Sequence, residues 1–176
     1  MKRRITAILL CLLLLLPVAG MAEEEPRLVE GTVSRGSKQV SFLYPETYRI
    51  QEEDYGGTFV FLNEIDYISL DIPTRGLSGV ESLDDGAGDR SIVLSDNLHL
   101  WAVNGNADGQ TRNIDFVQAG VNLPDGGNVV LTAHTYHGRT AVYQVFLTIL
   151  SSLTEEASLV EEWLTDEWIP YVTAQP

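Results

Sequence analysis

Few residues in this 176-residue chain combine type and spacing in a way that suits chemistry. The sharpest pattern is Asn104-Gly105-Asn106-Ala107-Asp108-Gly109, followed by Asp115. A calcium loop of the EF-hand kind sets oxygen ligands at its positions 1, 3, 5 and 12 and a glycine at position 6. Asn104, Asn106, Asp108 and Asp115 fill those ligand positions, Gly109 the turn, and Ile114 the apolar place before the last ligand. Calcium takes hard oxygen donors, so these four are the candidate metal ligands. Three features depart from the pattern: Asn104 removes a charge, Thr111 stands where an apolar residue is usual, and Asp115 reaches less far than Glu. Asn, Asp and Gly also tolerate left-handed backbone, so the same stretch suits a plain hairpin turn.

His134 and His137 are the next candidates. On a strand, zinc ligands at i and i+2 share a face, whereas residues at i and i+3 point to opposite faces. The sequence therefore predicts an ordinary sheet position for His134. Paired carboxylates are plentiful, but Glu64, Asp66 and Asp71 flank strands without the apolar setting that raises a pKa. The chain contains no Gly-x-Ser-x-Gly elbow, phosphate loop or dinucleotide fingerprint. Tyr44, Tyr48, Tyr55, Trp101, Tyr136 and Tyr143 are candidates to line a ligand groove, and strand packing is the competing role for each. The reading is of a protein without enzyme activity and without a cofactor other than the possible calcium.

Charge narrows the partners. There are 11 Lys and Arg against 25 Asp and Glu, a formal charge of −14. Binding to nucleic acid needs cations that displace phosphate counterions, so that class is excluded. The first residues form an address: Lys2-Arg3-Arg4, an apolar run from Ile5 to Leu16, then Pro17-Val18-Ala19-Gly20-Met21-Ala22. Basic start, short leucine-rich centre and small-residue exit are the secretory signal pattern. The run is shorter than the roughly 20 residues that span a bilayer. The sequence thus predicts a signal peptide over residues 1–22, cut after Ala22, with membrane contact only during export and a secreted or extracytoplasmic product. Cys11 lies inside the leucine run, not at its end, which argues against lipid attachment. All 25 acids follow the cut, against eight remaining basic residues, so the exported chain would carry −17 and no thiol.

The elements that must position these residues are mostly strands. Residues 23–37 are polar and read as a flexible lead-in, with an edge strand near Thr32-Val33. Val40–Tyr44 reads as a strand stopped by Pro45. Thr58–Leu62 and Tyr67–Ile72 form a hairpin around Asn63-Glu64-Ile65-Asp66. Within the second, Tyr67, Ser69 and Asp71 alternate with Ile68, Leu70 and Ile72, so one face is buried and one is wet. Residues 74–91 form a long Gly-, Ser- and Asp-rich connection, with a helical turn expected at Val80–Leu83. Ile92–Leu94 and Leu98–Val103 are strands, Ile114–Val121 is strand or short helix, and Pro124–Gly127 is a turn. Val129–Thr135 and Thr140–Leu150 read as a hairpin whose apolar second strand is central. Ser152-Leu153-Thr154-Glu155 fits a capping box for a last helix. Leu153, Ala157, Val160, Leu164 and Trp168 make its buried stripe, and Pro170 ends it.

The stretch Phe42-Leu43-Tyr44-Pro45 with Tyr48 after it, the late Tyr136-His137-Gly138-Arg139-Thr140-Ala141-Val142-Tyr143, and the acidic closing helix resemble the PsbP-like family of small secreted or lumenal domains. The resemblance spans residues 38–172. It implies an α+β fold, an α/β/α sandwich with an antiparallel sheet flanked by helices and the C-terminal helix packed on the sheet. It also implies a non-enzymatic accessory or binding role toward a protein or small ligand. The alternatives are an extracellular calcium module using the 104–115 loop and, behind it, a carboxylate-dependent hydrolase.

Overall fold

A computed structural model of the chain describes residues 26–54, 56–74, 77, 89–104 and 113–174, with backbone only at Asp89, Arg90, Ser91 and Val93. Strands β1 (Leu28–Arg35) and β2 (Lys38–Pro45) form a hairpin of their own. The other seven are β3 (Arg49–Glu52), β4 (Thr58–Phe61), β5 (Tyr67–Asp71), β6 (Asp89–Ser95), β7 (Leu98–Val103), β8 (Ile114–Asn122) and β9 (Asn128–Tyr136). They build one antiparallel sheet in the order β3-β4-β5-β9-β8-β7-β6. Helix α1 (Ala141–Ser151), helix α2 (Ala157–Trp163), a π turn (Leu164–Trp168) and helix α3 (Ile169–Thr173) follow.

The period-2 alternation along β4, β5, β7, β8 and β9 divides the sheet into two faces. Val60, Ile68, Leu70, Leu131, Ala133, Val117, Ala119, Leu100 and Ala102 are all fully buried on one of them. The register joins them across the strands, Ile68 to Ala133 to Val117 to Ala102, and Leu70 to Leu131 to Ala119 to Leu100. The β1–β2 hairpin and the helices cover this core face. Thr58 Oγ1 donates to Thr32 O at 2.8 Å, which ties the hairpin down over β4. Trp168, fully buried, donates its Nε1–H to Tyr143 Oη at 2.8 Å, which ties the C-terminal helix to α1.

Several expectations need correction. The lead-in, expected to be flexible with an edge strand near Thr32-Val33, holds a full eight-residue strand over residues 28–35, paired along its length with β2. The segment 141–151, expected as a strand, is α1. Its buried residues Val142, Tyr143, Val145, Phe146, Ile149 and Leu150 fall at helical spacing, and the valine, isoleucine and aromatic content concealed that period. The capping box does not form; Thr154 Oγ1 accepts from Glu156 N instead. The stripe Leu153, Ala157, Val160, Leu164 and Trp168 is buried as expected, joined by Trp163 and Val172. Pro170 does not end the helix. In the π turn before it, Ile169 N–H bonds Leu164 O, five residues back. That wider turn shifts the ladder, so that a residue without an amide hydrogen fits the first turn of α3. The helical turn expected at Val80–Leu83 lies outside the described residues.

The connection from β5 to β6 must pass β9, β8 and β7 in the sheet order. Leu77 marks its path. The side chain is 7% exposed and sits over Gly120 of β8, where an added Cβ would lie 2.8 Å from Leu77 Cδ2. Gly120 pairs with Val130 and His99, on the face away from the core. Leu77 thus packs on the outer face, and only glycine at position 120 leaves it room. Gly120→Ala is expected to cost about 1–2 kcal/mol by overpacking. In a Leu77→Ala background the same change should cost little. Urea denaturation of the double-mutant cycle reads this coupling, and strictly additive costs would contradict it.

Candidate functional site

The outer face carries an aromatic row. Register places Arg49, Phe61, Tyr67, His134, Phe116 and Val103 side by side across β3, β4, β5, β9, β8 and β7. The imidazole of His134 stacks on Tyr67 with 4.3 Å between centroids and 17° between planes. Phe116 meets the same imidazole edge-on at 4.8 Å and 81°. Phe61 and Phe59 extend the cluster beyond Tyr67, at 5.5 and 5.7 Å from it. The Arg49 guanidinium caps the end of the row, 4.6 Å from the Phe61 centroid. The next row along the strands is polar in its middle: Phe59, Ser69, Thr132, Gln118 and Trp101. Gln118 Nε2 donates to Thr132 Oγ1 at 2.8 Å. These rings are half-buried although no described helix covers them.

Electrostatics keep the centre of this face neutral. Burial between two rings pushes the His134 imidazole down to about 4, and Ser69 Oγ shares a hydrogen bond with its Nε2 at 3.3 Å. Burial also raises the Tyr67 phenol above its ordinary value. Among the described residues, formal charges stand at the margins. Arg35 Nη1 bonds both oxygens of Asp71 at 3.1 and 3.2 Å. Arg139 stands 5.1 Å from the Tyr136 centroid.

A second cluster closes the end of the sheet where β9 turns into α1. Asp115 and Thr135 are direct partners across β8 and β9, both fully buried. Asp115 Oδ1 lies 3.0 Å from His137 Nδ1, and its Oδ2 accepts from Gly138 N at 3.2 Å. Gly138 has φ +77, the left-handed value this turn requires. Asp66 Oδ1 accepts from Thr135 Oγ1 at 2.8 Å, and Oδ2 from Asn63 Nδ2 and Arg139 Nη1 at 2.7 and 3.2 Å. Desolvation would raise the Asp66 pKa. The donors Asn63, Thr135 and Arg139 and the Tyr136 amide outweigh it and hold the carboxyl below its ordinary range. Burial raises the Tyr143 phenol nearby, with the Asp115 charge adding to the effect. Two carboxylates thus brace one tight turn.

The structure distributes the candidates read from the sequence between these places. Of the four calcium ligands, Asn104 and Asp115 end adjacent strands and are both buried, while Asn106 and Asp108 lie outside the described residues. β7 and β8, on either side of residues 105–112, are antiparallel neighbours. His134 and His137 do not meet; one is in the aromatic row and the other against Asp115. Glu64 is exposed, Asp71 pairs with Arg35, and Asp66 is buried in the turn. Among the described residues no three histidine, cysteine or acidic side chains converge as a metal would need. Tyr44 and Tyr143 belong to the core, and Tyr48 packs against it. Trp101 and Tyr136 alone of the aromatics proposed for a groove reach the outer face; Tyr55 is not among the described residues. Phe61, Tyr67, Phe116 and His134 make up the aromatic row, and Phe59 lies in the row beside it. Their signal was parity, aromatic residues at the wet positions of alternating strands. A cleft of about 490 Å³ at the opposite end of the sheet is lined by Asn97, Asn122, Glu155 and Glu156 among others. No family model and no curated protein matches the chain.

The low pKa of His134 has a signed consequence. Between pH 6.5 and about 4 the unfolded chain takes up a proton at this position and the folded chain does not. Stability should therefore fall as pH drops through that window, by up to about 3 kcal/mol. Chemical denaturation at pH 7.5 and 4.5 is expected to show a larger loss for the wild type than for His134→Phe. Equal losses would contradict a neutral, ring-packed imidazole.

Proposed function

We propose that the protein is an exported, non-enzymatic binding domain and that the outer face of its sheet is the binding surface. One observation carries this: four rings, Phe61, Tyr67, His134 and Phe116, lie in contact across four strands, on the face opposite the β1–β2 hairpin and the described helices. Half-buried aromatic rings in a row are the usual anchors of a binding surface, since they offer large apolar area at little entropic cost. The buried carboxylates support the non-enzymatic part of the reading. Asp66 and Asp115 accept hydrogen bonds that hold a turn, and the low pKa of Asp66 is the reverse of what a general acid needs. Export rests on the basic, apolar and small-residue order of residues 1–22.

A PsbP-like sandwich is the finer architectural proposal. The antiparallel sheet with a C-terminal helix against it is compatible with that family, as is Phe42-Leu43-Tyr44-Pro45 at the end of β2. The Tyr136–Tyr143 stretch is the turn from β9 into α1 rather than a strand-to-strand hairpin.

A neutral apolar dye tests the surface. Nile red fluorescence should rise on addition of the folded protein, and the affinity should fall at least fivefold in Tyr67→Thr and Phe116→Thr. Leu43→Thr, at an exposed leucine on β2, should change nothing. Unchanged binding in both row variants, with folding intact by circular dichroism, would overturn the reading.

A further inference from the structure

We draw no further inference here: the strongest candidate, the cleft at the end of the sheet where α1 stops, lined by Asn97, Asn122, Ser152, Thr154, Glu155 and Glu156 among others, carries nothing, because only the acids Glu155 and Glu156 would choose its ligand and no second feature among the described residues points to one.

Discussion

The constraint on which the rest depends is the two-faced nature of an antiparallel sheet. Each strand sends successive side chains to opposite sides, so seven strands in register produce two complete surfaces. The chain provides one covering layer, made of the β1–β2 hairpin, α1 and the C-terminal helical segment. That layer closes the face carrying Ile68, Leu70, Leu131, Ala119 and Leu100 into a core. On the other surface the described part of the β5-to-β6 connection contributes Leu77, packed over Gly120. An aromatic row on that side is therefore a consequence of residue choice, not of core packing.

Polar groups buried at the end of the sheet follow the same economy of roles. Asp115 and Thr135 occupy core-facing positions of β8 and β9 where aliphatic residues would fit. Asp115 binds instead to the turn between β9 and α1, and Thr135 donates to Asp66 of the β4–β5 turn, which reaches the same turn through Arg139. A turn held by two carboxylates fixes where α1 starts, and so where Tyr143 meets Trp168. Removing either carboxylate would leave buried donors without acceptors, which is the more costly kind of loss. The arrangement explains why titratable groups concentrate at a place with the geometry of a brace.

Much of this was legible in the sequence, and the reasons for the rest are physical. The strands at 58–62, 67–72, 92–94 and 98–103 declared themselves by alternation and turn residues, as did the turn at Pro124–Gly127. Alternation in Tyr67–Ile72 also gave the wet face, though not that its neighbours would be aromatic, because cross-strand pairing is not visible in one strand. Helix α1 was read as a strand because Val142, Val145 and Ile149 have high β propensity; burial against β2 and β9 overrides that preference. Pro170 was read as a stop because a π turn leaves no signature in composition. Asp66 and Asp115 looked like turn and loop acids, and their partners Arg139 and His137 come from more than 20 residues away.

The central claim is that one face of the sheet is closed and the other is open to solvent. Paramagnetic relaxation by a neutral soluble agent, gadolinium diethylenetriamine pentaacetate bismethylamide, measures this directly in ring-proton NMR signals. The account predicts strong broadening at Tyr67, Phe116 and Trp101 and little at Phe146 and Trp168, which are fully buried. Equal protection of both sets would contradict it, because the outer face would then be a second core.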